Sequence, residues 1–149
     1  MNRPMRPEDV PWVAALEAGT FPTPWDADAF RRLLGRSGVL LRVREDADAC
    51  PVAYGVLWCA ADQGELANLA VRADARGRGH GGALLDHLLA AAAAGGVRAV
   101  FLEVRASNDD ARRLYRTRGF REVGVRAGYY RSPREDAVVM RADPGGKRL

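Results

Sequence analysis

The residues best suited to chemistry are Arg76-Gly77-Arg78-Gly79-His80-Gly81-Gly82. A short apolar run, Leu66 to Val71, precedes them, and an evident helix, Ala83 to Ala94, follows. Strand, glycine-rich turn and helix together make an anion cradle. Glycines allow backbone N–H groups to approach a ligand closely, and the free amides of a first helical turn point at it with the positive end of the dipole. A phosphate or pyrophosphate suits such a cradle. Gly77-x-Gly79-x-x-Gly82, with Glu103 at about the distance of a ribose-binding acid, also satisfies the dinucleotide fingerprint. The plain alternative is a glycine-rich surface turn with no ligand.

The surrounding elements choose between these readings. Met1 to Arg6 leaves room for a short strand only. Pro7-Glu8-Asp9 opens a helix through Val13, Leu16 and Glu17 that stops at Gly19. Phe21-Pro22-Thr23-Pro24-Trp25 is a stiff link, and Asp26 caps a second helix ending at Gly35. Val39 to Arg44 and Val52 to Cys59 alternate as a hairpin, and Glu65 to Val71 is the next strand. Leu84, Leu85, Leu88 and Leu89 form the buried stripe of the helix after the glycine loop. Ala99 to Val104 is a strand with Val100, Leu102 and Val104 on one face and Phe101 and Glu103 on the other. Ser107 or Asn108 caps a last helix closed by Gly119. Phe120 to Val125 and Ala137 to Met140 are expected as a final strand pair around a Gly128-Tyr129-Tyr130 loop, with a frayed tail from Asp143. A dinucleotide fold places its glycine loop after the first strand and then adds further βαβ units. Here three strands and two helices come first, and too little chain follows Glu103 to complete a doubly wound sheet.

A chain of 149 residues, 48% hydrophobic, is long enough to bury a core as one domain, expected over residues 1–142. The formal charge is +4, with Lys147 the one lysine among 23 basic residues. That favours anionic partners generally. No basic-aromatic motif points to specific nucleic-acid binding. Cys50 and Cys59 lack zinc spacing, so no metal is expected, and free thiols suit a reducing cytosol. A signal peptide and a membrane span are not expected.

The order βααβββαβαββ, with a short first strand, resembles the GNAT acyltransferase superfamily. Its Gln/Arg-x-x-Gly-x-Gly/Ala loop, which holds the pyrophosphate of coenzyme A, is matched by Arg76-x-x-Gly79-x-Gly81. Leu102-Glu103-Val104-Arg105-x-Ser107-Asn108, Ala111-x-x-Leu114-Tyr115-x-x-x-Gly119-Phe120, the Phe21 to Trp25 link and Tyr129-Tyr130 resemble the RimI-type branch, which acetylates N-termini of ribosomal proteins. The resemblance covers nearly the whole chain. It implies an α/β (α+β) fold with a mixed, mostly antiparallel sheet, and acetyl-coenzyme A as cosubstrate. The shortened first strand departs from the family, so that sheet edge is expected to be frayed or missing, and Gly77 and Gly82 exceed its loop pattern.

Under this resemblance Gly77, Arg78, Gly79, His80, Gly81 and Gly82 hold the pyrophosphate through backbone amides; Arg76 and Arg78 add charge there or are simply solvated, and the His80 side chain is a ligand contact or merely tolerated in the loop. Main-chain groups of Leu69, Ala70 and Val71 line the pantetheine arm, which requires their strand to splay from its neighbour. Asn108 lies against the cofactor, or is simply a helix cap. Glu103 is the general base, acting through water, or the partner of an arginine. Tyr115 is the general acid toward the sulfur, or a core aromatic; its phenol is protonated at working pH. Trp25, Tyr129 and Tyr130 are the candidates for an acceptor cleft, or ordinary packing. An α-amine, with a pKa near 8, yields its neutral form more readily than a lysine amine near 10.4. The reading is acetyl transfer to a protein α-amine, with a ribosomal protein as the expected partner. A lysine side chain or small amine is the alternative acceptor, and a non-catalytic acyl-coenzyme A sensor the alternative of another class.

Overall fold

The computed structural model describes residues 1–144. Seven strands form one sheet in the order β1-β2-β3-β4-β5-β7-β6. They are β1 (Asn2–Pro4), β2 (Val39–Glu45), β3 (Pro51–Ala60), β4 (Gln63–Val71), β5 (Ala99–Arg105), β6 (Arg121–Arg131) and β7 (Arg134–Ala142). Four helices flank them: α1 (Val10–Thr20), α2 (Ala27–Leu33), α3 (His80–Ala94) and α4 (Asp109–Thr117). The element order is the one expected, and all pairings are antiparallel except β4 with β5.

The short β1 still completes its edge. It pairs with β2 from Asn2 opposite Arg44 to Pro4 opposite Arg42. Arg3 holds it there, donating to both oxygens of Asp9 at 2.7 and 2.9 Å and to Glu45 at 2.9 Å. The Arg3 guanidinium keeps the Asp9 carboxyl below the usual carboxylate range.

Two cores lie on the two faces of the sheet. The α3 stripe of Leu84, Leu85, Leu88 and Leu89 packs on Leu57, Leu66, Val100, Leu102 and Met140. On the other face α1 and α2 bring Val10, Val13, Phe30 and Leu33 onto Leu41, Val43, Tyr54 and Val56. Each fully buried Leu contributes roughly 1.5–3 kcal/mol by leaving water. Gly55 lies below the α3 stripe. A Cβ there would sit 2.6 Å from Leu88 Cδ1, so the missing side chain is what lets the helix approach.

Three local expectations change. α3 begins at His80 rather than Ala83, because Gly79, at φ +83°, takes the left-handed turn that starts it. Gly81 and Gly82 therefore lie in its first turn. The last hairpin is longer than expected, because β6 runs to Arg131 and places Tyr129 and Tyr130 on a strand instead of a loop. A register shift between Arg126 and Tyr130 absorbs the Gly128 turn, whose N–H donates to Asp136 Oδ1 at 2.8 Å. Asp143 accepts from Arg121 and Arg141 at 2.9 and 2.8 Å. Residues 145–149, the remainder of the expected tail, lie outside the described residues.

Candidate active site

The site begins where the sheet opens. β4 and β5 pair only from Gln63 opposite Ala99 to Glu65 opposite Phe101. β4 then carries a bulge against β3: Leu57 faces Leu66 but Val56 faces Asn68, leaving Ala67 as the extra residue. A bulge bends its strand and adds twist, and beyond it the two strands part. This is the splay that the residues Leu69 to Val71 needed. Backbone groups on that edge of β4 have no ladder partner across the gap, and so remain available to a ligand.

A cavity of about 580 Å³ fills the gap. Leu66 to Leu69 line one wall and Leu102 to Arg105 the other, with Asn108, Ala111 and Tyr115 from the α4 side. Trp25, Glu103, Tyr129 and Tyr130 line it too. A smaller cavity of about 280 Å³ adjoins it, shared by Trp25, Trp58, Glu65, Asn68, Glu103, Tyr129 and Tyr130. The expected catalytic pair and the expected acceptor residues thus meet at one place.

The glycine loop stands at the end of β4. Arg76 Nε donates to Val71 O at 3.1 Å and ties the loop to the strand. Ala83 N bonds back to Gly79 O at 3.0 Å, so the amides of His80, Gly81 and Gly82 are those a helix start leaves free. Gly81 packs on Val71 and Leu114; Gly82 lies against the Arg118 guanidinium, which a Cβ there would strike. Arg78 is exposed. His80 Nδ1 accepts from Arg44 Nε at 2.9 Å, so this ring is held by β2. Leu69 lines the large cavity, whereas the Ala70 side chain is buried in the α1–α2 core. These positions suit a pyrophosphate at the loop amides and an extended thiol arm in the gap.

Glu103 projects from β5 with its side chain 19% exposed, and Arg126 Nη1 of β6 lies 3.5 Å from its Oε1. The ion pair and the place in the cavity are both real. Its hydrogen bond with the Tyr129 hydroxyl raises that phenol's pKa, burial adding to the effect. Tyr115 packs edge-on to Phe120 with ring centroids 5.7 Å apart. Burial pushes its phenol up to about 12, with Tyr130 adding a smaller effect. Burial also pushes Tyr130 up to about 12, helped by the Glu103 charge, while the Arg105 guanidinium sits 4.3 Å over its ring. Asn108 Oδ1 accepts from Ala111 N at 3.2 Å, a helix cap that also lines the cavity.

Three participants lie outside the sequence expectations. Glu17 is 1% exposed and lines the large cavity. Its Oε1 accepts from the Tyr54 hydroxyl and from Asn68 Nδ2, the latter at 2.7 Å, and its Oε2 from Trp25 N at 2.9 Å. Burial and the Glu17 carboxylate raise the Tyr54 phenol far above its usual range. Glu17 therefore ties α1 to the bulged strand and to the aromatic wall. Its spacing from Val10 and Val13 puts it on the buried stripe of α1, a signal present in the sequence. Asn68 and Trp58 offer no such signal, since the bulge and the β3 register decide where they point. Trp58 continues the wall, with its rings 6.0 Å from those of Trp25.

Residues 10–120 match the acetyltransferase (GNAT) family. The chain belongs to the GNAT family. It is similar to the ribosomal protein bS18-alanine N-acetyltransferase of Salmonella typhimurium, 35% identical over 135 residues that cover 89% of each protein. It is similar over a shorter stretch to the N-alpha-acetyltransferase RimI of Mycobacterium tuberculosis, 53% identical over 70 residues, covering 47% of this chain and 42% of that one. Among solved structures, the ribosomal-protein-S18-alanine N-acetyltransferase from Escherichia coli superposes with a TM-score of 0.86 at 31% identity, covering 100% of this chain and 97% of that one. This GNAT protein is an acetyl-coenzyme A-dependent N-acetyltransferase. Among the described residues no group of three or more His, Cys, Asp or Glu could hold a metal ion, and no helix is long and apolar enough to cross a membrane.

Proposed function

We propose that this GNAT enzyme acetylates the N-terminal α-amine of a protein in the cytosol, a ribosomal protein being the acceptor class its relatives' names favour. The observation that carries the reading is the meeting of Glu103, Tyr115, Trp25, Tyr129 and Tyr130 around one opening between β4 and β5. The acyl donor is acetyl-coenzyme A. Its pyrophosphate is assigned to the amides of Gly77 to Gly82, with Arg76 and Arg78 adding charge, and its arm to the β4 edge at Leu69 to Val71.

The neutral amine nitrogen attacks the thioester carbonyl carbon. The C–N bond forms, the C–S bond breaks, and the amine loses a proton to Glu103 through a water molecule. Tyr115 gives a proton to the departing thiolate, and backbone N–H groups of β4 stabilise the carbonyl oxygen as it gains charge. Tyr129 and Tyr130 offer hydroxyls to the acceptor backbone, and Trp25 supplies a wall. An α-amine suits a carboxylate base because its neutral form is already appreciable near pH 7.

The test is mass spectrometry of the enzyme with acetyl-coenzyme A and a peptide bearing a free N-terminal Ala and one internal Lys, beside its N-blocked twin. Acetylation of the free peptide alone is expected. Acetylation of both at Lys would replace the reading by lysine acetylation. Transfer to neither, with cofactor still bound, would favour a sensor.

A further inference from the structure

A third cavity, of about 530 Å³, lies beside the acceptor cavity on the same sheet face. The two share Trp58, Glu65 and Glu103. On β5, Val100, Leu102 and Val104 are buried under α3, so Phe101 and Glu103 alternate onto the opposite face. α1 and α2 cover β2 to β4 there, and leave the part over β5 and β7 open. The floor of this groove is Phe101 and Val139, its near wall is Trp58 with the end of α2 at Leu33, and its rim is Ser37. Trp58 is 43% exposed, a large apolar surface left facing water.

No residue of the glycine loop, α3 or α4 lines the groove. It therefore lies off the cofactor path, and a small amine would be served by the 280 Å³ cavity without it. The aromatic wall Trp25–Trp58 runs unbroken from the reaction centre into it. We infer that this groove seats the residues of the acceptor polypeptide downstream of the acetylated one, and that it selects chains with bulky apolar side chains there. Such side chains would cover Trp58, Phe101 and Val139, and the backbone would pass Arg126 at the mouth beside Glu103. The inference rests on the α-amine reading and gives it a substrate class: a polypeptide read beyond its first residue, rather than a free amine.

The test compares three acceptors: the dipeptide amide Ala-Ser, the hexapeptide Ala-Ser-Phe-Leu-Gly-Ser, and its twin with Gly in place of Phe and Leu. The apolar hexapeptide is expected to exceed both others at least tenfold in kcat/KM, with the gain in KM. Two groove variants follow. Phe101→Ala removes floor, and Ser37→Trp fills the groove from an exposed rim position. Each should erase most of that advantage while leaving the dipeptide rate within about twofold. Equal rates on all three peptides, or an advantage that survives Ser37→Trp, overturns the groove and leaves α-amine acetylation standing. Transfer to none of them overturns the α-amine reading and the groove with it.

Discussion

The proposed cofactor end and the proposed acceptor end of this site are built on different principles. At the proposed cofactor end, the consecutive residues Gly77 to Gly82 would offer backbone amides, and most of them have no side chain. At the acceptor end, Glu103 comes from β5, Tyr115 from α4, Trp25 from the link after α1, Tyr129 and Tyr130 from β6, and Glu17 from α1. The first is a local conformation, carried by Gly77 at φ +76° and Gly79 at φ +83°. The second exists only after the sheet has formed and parted. Mutations should therefore separate cleanly: acceptor-end changes act on kcat or on the amine, and loop changes act on acetyl-coenzyme A.

The largest effect is expected from Glu103→Gln, which keeps the shape and removes the base. A fall in kcat of about 10³-fold is expected, with the KM for acetyl-coenzyme A unchanged. Near-normal turnover of the Glu103→Gln enzyme at pH 7 would assign the carboxylate to its Arg126 pair alone. Tyr115→Phe should cost about 10²-fold in kcat by removing the proton donor. The pH profile sharpens this assignment. The Tyr115 phenol, pushed up to about 12 by burial, stays protonated up to pH 10. The acceptor amine becomes neutral as pH rises through about 8. The rate should therefore climb through pH 8 and hold to pH 10, and a decline between pH 9 and 10 would point to a different acid.

Glu17→Ala is the next step down. It leaves the Tyr54 hydroxyl, Asn68 Nδ2 and Trp25 N without their shared acceptor. A loss of about 3 kcal/mol in urea-unfolding stability is expected from the unsatisfied buried groups, together with a KM for the peptide raised about tenfold. If both KM values rise equally, Glu17 is simply part of the core. The smallest pair tests the loop. Gly79→Val puts a branched side chain at a left-handed φ, a strain of roughly 1–3 kcal/mol, and should raise the KM for acetyl-coenzyme A about tenfold with the peptide KM unmoved. Arg78→Ala, on an exposed and screened charge, should change it only about twofold, and less in high salt. A larger effect from Arg78 than from Gly79 would mean that side chains rather than amides hold the phosphates.

The legible parts of the sequence were those with a local cause. The glycine run, the Asp26 and Asn108 caps and the Leu stripe of α3 each follow from residue type and spacing within one element, and Asp26 Oδ1 accepts from Ala29 N at 2.8 Å as its position implied. Glu103 could be singled out because a carboxylate on an apolar strand needs a reason. What it faces is another matter. Arg126 and Tyr129 reach it because β7 inserts between β5 and β6, a non-sequential strand order that no local pattern encodes. Tyr129 and Tyr130 resembled a loop because Gly128 precedes them, and the sheet overrode that preference by extending β6 past the glycine.

The sequence by itself determined the elements, their order, the glycine-rich turn and the candidates for acid and base, because these depend on side-chain type and on periods of two and 3.6 residues. The tertiary structure alone decided that β4 and β5 part company after Glu65 and Phe101, that the Ala67 bulge turns Asn68 toward Glu17, and that one face of β5 is left uncovered beside Trp58. The physical reason is that a strand's partners are set by hydrogen bonds to residues far along the chain. A gap in a sheet is the absence of such bonds, and it leaves no mark on the residues that border it.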